Sequence, residues 1–172
     1  IKNPEHEISE TLLAPDFVGG GYIIYDKDEL DRIYKTGRGS VKVRAKYNYD
    51  KAYNCIDITE IPPTTTSEAI IDKIVELVKT NKVKELSDVR DETDLKGLRI
   101  TLDLKRGIDP DALMTKLYKM TPLEDTFSCN FNVLINGYPR VLGVGEILNE
   151  WIEFRLNCVD RKSTRLNSSH MS

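Results

Sequence analysis

Apolar and polar positions repeat along this chain with two different periods, and the switches between them divide it into elements. Val41, Val43, Ala45 and Tyr47 alternate with Lys42, Arg44 and Lys46, which predicts a half-buried strand over 41–47. A second strand is predicted over 53–61, where Pro62-Pro63 halts the ladder, and a turn near Tyr49-Asp50-Lys51 joins the two as a hairpin. Residues 98–104 alternate with Arg99, Thr101 and Asp103 on the outer side. Phe127, Cys129, Phe131, Val133 and Ile135 mark another strand, and a short one follows over 138–142 after a turn at Asn136-Gly137. Helical spacing appears four times. Residues 27–36 place Leu30, Ile33 and Tyr34 on one face; residues 67–79 do the same with Ile70, Ile71, Ile74, Leu77 and Val78, behind a capping box of Thr65 and Glu68. Asp109-Pro110 opens a third helix that packs Leu113, Leu117 and Met120. A fourth begins near Gly143 with the stripe Val144, Ile147, Leu148, Trp151, Phe154 and Cys158, and is still running at Arg161.

This order of elements predicts an α+β class with helices packed on a mostly antiparallel sheet. Residues 1–26, punctuated by Pro4, Pro15 and Gly19-Gly20-Gly21, read as a connector. Residues 162–172 turn to Ser and Asn, the periodicity stops, and the segment reads as a non-native tail of translated linker. The chain opens without Met, which predicts a start inside a longer gene product. Its 172 residues, 40% hydrophobic and 31% charged, suit a globular domain, with no apolar run of membrane-spanning length and no signal peptide. Three cysteines without a CxxC spacing argue against a disulfide framework or a zinc site, and predict free thiols in a reducing cytoplasm. A net charge of −3 argues against a general polyanion binder, so any nucleic-acid surface must be a local patch.

One such patch exists. Arg32, Lys35, Arg38, Lys42, Arg44 and Lys46 occur with no acidic residue between them, three of them on one face of the strand over 41–47. Such a face can hold duplex phosphates through point charges and counterion release; the alternative is a solvated strand face. Just upstream, Tyr22-Ile23-Ile24-Tyr25 follows the glycine run. These side chains fit either a core or a wedge that unstacks base pairs. Asp88, Asp91, Glu92 and Asp94 cluster around Arg90 and read as solvated loop carboxylates neutralised by Arg90 and Lys96 rather than a Mg²⁺ site. Only His6 and His170 are present, so a Ser–His–Asp or Cys–His nucleophile is hard to build. Neither a P-loop nor a GxGxxG pattern occurs.

Several blocks resemble the A subunit of the bacterial type IIA DNA topoisomerases, the gyrase and topoisomerase IV enzymes. They are Pro15-Asp16-Phe17 with the glycine run, Thr36-Gly37-Arg38-Gly39-Ser40, Val43-Arg44-Ala45-Lys46 and Thr59-Glu60-Ile61-Pro62. Leu86-Ser87-Asp88-Val89-Arg90-Asp91-Glu92-Thr93-Asp94 with Gly97-Leu98-Arg99-Ile100, then Leu117-Tyr118, Thr121-Pro122-Leu123, Phe127 and Glu146-Ile147-Leu148, continue the likeness in order from about residue 10 to 161. Val18-Gly19 stands where the family has Pro-Thr, and Pro63 where it commonly has Tyr, which suggests a divergent branch.

The resemblance implies a tower domain over 27–142, a connector from a winged-helix domain over 1–26, and the start of a coiled-coil helix over 143–161. It implies a fragment of the DNA-breaking and rejoining polypeptide of an ATP-dependent topoisomerase, working in the cytoplasm. The implied partners are double-stranded DNA, a second copy of the same polypeptide and a separate ATPase subunit. No cofactor is expected in this chain; Mg²⁺ and ATP are implied on that ATPase partner. The family's nucleophilic tyrosine lies in an Arg-Tyr dipeptide absent here, so no tyrosine of this chain is assigned as catalytic and the fragment is expected to be inactive alone. The DNA contacts implied are Arg38, Lys42, Arg44 and Lys46, with Ile23 as wedge and Ile24 beside it. Counting back from Gly37 gives Ile23, whereas counting forward from Pro15 gives Tyr22. The competing reading is a non-catalytic α+β nucleic-acid-binding module.

Overall fold

The structure, a computed structural model, describes residues 2, 3 and 5–169; Ile1 and Pro4 of the connector and His170-Met171-Ser172 of the tail lie outside the described residues. In chain order the elements are α1 (Ile8–Thr11), β1 (Tyr22–Ile24), α2 (Lys27–Thr36), β2 (Arg38–Arg44), β3 (Lys46–Asp50), β4 (Cys55–Glu60) and α3 (Ser67–Lys79). Then come β5 (Leu86–Asp91), β6 (Ile100–Leu104), α4 (Pro110–Met120), β7 (Glu124–Asn130), β8 (Asn132–Ile135), β9 (Tyr138–Val141) and α5 (Val144–Ser169). The class is α+β with antiparallel ladders. The chain forms two compact units, one of Ile1–Leu13, Asp26–Ser40 and Ser128–Ser172, the other of Ala14–Tyr25 and Val41–Phe127.

The second unit holds a four-stranded sheet in the order β3-β4-β6-β5, every neighbouring pair antiparallel. Ile56 and Ile58 of β4 and Ile100, Leu102 and Leu104 of β6 meet Ile70, Ile74 and Leu77 of α3 and Leu113, Met114 and Leu117 of α4 in one core. Most of these side chains are wholly enclosed, and each contributes about 1.5–3 kcal/mol relative to exposure. Both helices begin with a satisfied backbone. Asp109 accepts from the Asp111 N–H ahead of Pro110. At α3 the cap is Thr66, which accepts from the Ala69 N–H, and not Thr65; Thr66 is the last extended residue, and only that position reaches the free N–H two or three residues on.

The strand expected over 41–47 is two strands, because Ala45, fully buried, leaves the β2 ladder and donates its N–H to the Leu123 carbonyl at 2.8 Å. Its partner strand begins at Cys55, since residues 51–54 form the turn and Asn54 closes it at a φ of 49°. Thr101, expected outside, is 1% exposed, and its hydroxyl reaches Asp57 and Glu92. Asp88 and Asp91 lie on β5 rather than in a loop. Its sequence carries no strand pattern, because it is a charged edge whose buried contribution is mainly Leu86.

In the first unit, Asp26 caps α2 through the N–H groups of Asp28 and Glu29, and Gly37 ends it in a left-handed conformation at φ 75°. Leu30, Ile33 and Tyr34 are buried. The strand expected over 127–135 is interrupted at Phe131, whose N–H turns to the Gly37 carbonyl at 2.8 Å. β8 and β9 form a hairpin whose turn residues, Asn136 and Gly137, have φ of 50° and 82°, the signature of a two-residue primed turn. α5 runs through residues 162–169 as well, and none of its residues is buried.

Candidate nucleic-acid interface

In the second unit, β1 lies beside β2 in antiparallel register: Tyr22 faces Arg44, Ile23 faces Val43, and Ile24 faces Lys42. Directly opposed residues of an antiparallel pair project to the same side of the sheet. The face carrying Val43 is the inner one, since Val43 is fully buried, so Ile23, expected as the wedge, is half-buried on the side turned away from Lys42 and Arg44. The open face carries Tyr22 and Ile24, 54% and 37% exposed, flanked by Lys42 and Arg44. An exposed aliphatic side chain and two cations therefore share one surface.

The glycine run makes this placement possible. Gly20 and Gly21 have φ of 72° and 107°. The Gly21 N–H donates to the Glu60 carboxylate at 2.6 Å, and a side chain at Gly20 would occupy the space of that carboxylate. A side chain at Gly21 would press on the Arg44 carbonyl and Val43. The loop reaches β4 and β2 because it carries no Cβ. Phe17 packs edge-on against Phe127, ring centroids 4.9 Å apart.

The cations differ in their surroundings. Arg44 donates from Nε to the Glu124 carboxylate, and its guanidinium lies 5.2 Å from the centre of the Tyr118 ring. Tyr118 in turn donates to the Ala45 carbonyl at 3.0 Å, and burial pushes its pKa up, an effect that Arg44 opposes. Lys46 lies on β3 rather than β2, with Nζ 4.0 Å from Glu60. Lys42 makes no ion pair among the described residues. Arg38 belongs to the first unit, exposed at the start of β2, and it too makes no ion pair among the described residues. Arg32, in the same unit, is held by Glu29 at 2.8 Å. Periodicity could locate the cations, but Glu60, Glu124 and Tyr118 come from distant segments and left no local signal.

Residues 1–171 match the model of the family described as the A subunit of DNA gyrase/topoisomerase IV. The chain belongs to this family. It is 40% identical over 178 residues to the chloroplastic/mitochondrial DNA gyrase A subunit of Arabidopsis thaliana, covering 99% of this chain and 18% of that protein. To the DNA gyrase A subunit of Borreliella burgdorferi it is 41% identical over 159 residues, covering 91% and 20%. The DNA topoisomerase 4 A subunit of Synechocystis is 36% identical over 160 residues, covering 88% and 17%. The chain spans about a fifth of the length of these relatives.

Elsewhere on this gyrase and topoisomerase IV family chain, only Glu92 of the acidic block joins an ionic network, with Asp57 and Asp103 across β4, β6 and β5; Asp88, Asp91, Asp94 and the expected partner Lys96 make no ion pair among the described residues. Arg90 bridges Glu92 at 2.9 Å and Asp103 at 3.1 Å; Arg99 bridges Asp57 at 3.1 Å and Glu92 at 3.5 Å. No cluster of three or more His, Cys, Asp or Glu among the described residues is arranged to hold a metal. No described helix is long and apolar enough to cross a membrane.

Proposed function

We propose that this chain is a piece of the DNA-breaking and rejoining polypeptide of an ATP-dependent type IIA topoisomerase, and that it grips and bends the duplex to be cut. The observation that carries this reading is the register that sets Ile24 opposite Lys42 and Tyr22 opposite Arg44 on one open face. Lys42 and Arg44, with Lys46 on β3, the next strand along the chain, contact phosphates; Arg38 contributes a separate contact from the first unit. Phosphate contacts fix position without reading sequence. Ile24, on the open face, enters a base step, and Ile23 supports it from the inner side. Unstacking a step costs a few kcal/mol, roughly, and is offset by the larger contact a bent duplex allows. Deformable steps are then preferred without base contacts.

Within this reading residues 27–142 are the tower, 1–26 lead in from a winged-helix domain, 143–161 begin the coiled coil, and 162–172 are non-native sequence into which α5 continues as far as Ser169. The nucleophilic tyrosine is carried elsewhere in the full protein, so the chain alone neither cuts DNA nor relaxes it. Mg²⁺ and ATP belong to the separate ATPase polypeptide, in a cytoplasmic assembly that contains a second copy of the DNA-breaking one.

Energy transfer between dyes on the two ends of a duplex tests the wedge. Ile24→Ala, and the double change with Ile23→Ala, are expected to leave DNA affinity within a few fold while the bent population falls. Unchanged transfer in both variants overturns the wedge. Lys42→Gln is expected to reduce the slope of log affinity against log salt by about one; an unaltered slope argues against a phosphate contact at that residue.

A further inference from the structure

Among Lys42, Arg44 and Lys46, the candidate contacts of the second unit, Arg44 is the one most tightly engaged by the protein itself. Glu124 accepts from its Nε, leaving the two terminal amino groups of the guanidinium outside that bond. The Arg44 side chain is 45% exposed and that of Glu124 is 22% exposed, so the cation reaches solvent more freely than its counter-charge. Tyr118 supports the guanidinium plane from below, and the same tyrosine is anchored to the Ala45 carbonyl. The next residue on each side is also tied down, since Ala45 donates to the Leu123 carbonyl. The backbones that carry the two partners are thus held side by side.

We infer that Glu124 limits the affinity of this face for nucleic-acid phosphates by neutralising Arg44 in place. The inference rests on the DNA-binding reading above. A phosphate that approaches the free amino groups of Arg44 meets a cation whose charge is already shared with the Glu124 carboxylate bound at its Nε. Electrostatic attraction and counterion release both scale with the charge left over. Removing the carboxylate charge while keeping an acceptor for Nε leaves the guanidinium where it is and returns its full charge to the surface. Glu124→Gln does this, because the amide oxygen still accepts from Nε. Lys42, with no ion pair among the described residues, has no such guard.

The test is a double-mutant cycle on the 172-residue chain, with binding of a fluorescently labelled duplex read by anisotropy at low salt and thermal melts as the folding control. Glu124→Gln is expected to tighten binding by roughly threefold to tenfold. The gain is expected to vanish in an Arg44→Gln background, since no guanidinium is left to release. Absence of any gain, or an equal gain in both backgrounds, overturns the inference; the latter would mean that net charge alone sets affinity. Failure of the underlying reading looks different: Arg44→Gln and Lys42→Gln would both leave duplex binding unchanged. If Glu124→Gln lowers the melting temperature, Glu124→Asp serves as a second variant. It keeps the charge and must not tighten binding.

Discussion

Gly143 has almost no freedom to change. A side chain there would be driven into the carbonyls of Tyr34 and Lys35 at the end of α2, and one at Gly37 would run into the Leu142 carbonyl. These obstacles are backbone, which cannot rotate aside. Gly143→Ala is therefore expected to cost at least about 2–3 kcal/mol and to lower the thermal midpoint of the first unit. Calorimetry of the variant checks this, and an unchanged midpoint would contradict the packing described. Tyr47 makes a second prediction at this scale. Burial, followed by its 2.6 Å hydrogen bond to Asp111, raises its pKa well above a tyrosine's usual value. The folded state thus keeps a proton that the unfolded chain releases above about pH 10, so stability must fall as pH rises through that value. Urea unfolding of the native chain and Tyr47→Phe across roughly pH 9–11 should show the steeper loss in the native chain. Tyr118, also raised by burial, leaves a remainder in the variant.

At the level of elements, β6 is the strand on which the four-stranded sheet depends, because Ile100, Thr101, Leu102 and Leu104 are all buried. Thr101 is the polar member, and its hydroxyl lies 2.9 Å from Asp57 and 3.1 Å from Glu92. Thr101→Val keeps the shape and deletes the donor. The two carboxylates retain Arg99, so the expected loss is about 1–2 kcal/mol in urea unfolding rather than collapse of the sheet. Thr101 also marks a limit of what periodicity conveys. Alternation placed it outside, correctly in direction, but could not register that Asp57, Arg90, Glu92 and Arg99 roof that face over. α2, α3 and α4 were legible almost to the residue, because a helix writes its buried face and its caps into one short stretch. β1 and β5 were not: β1 has three residues held by the glycine loop and by β2, and β5 owes its place to its ladder with β6. At the candidate interface the cations and isoleucines were readable, whereas their pairing across 80 residues of chain, as for Arg44 and Glu124, was not.

For the molecule as a whole, apolar burial is unevenly shared. The second unit contains the continuous core of Ile56, Ile58, Ile74, Ile100, Leu102, Met114 and Leu117, whereas α5 contributes no buried residue and leaves Leu148, Trp151 and Phe154 about half exposed or more. Backbone hydrogen bonds with so little packing around them open at low cost. Amide exchange should therefore be slowest on β4 and β6 and fastest over the second half of α5; equal protection in both places would refute this distribution.

The three thiols inherit the same unevenness. Cys55 and Cys129 are buried, and burial pushes both of them up, away from the reactive thiolate, while Cys158 sits partly open on α5. A maleimide offered at neutral pH should thus attach at one place, so that a dye can be installed on the long helix with no cysteine removed.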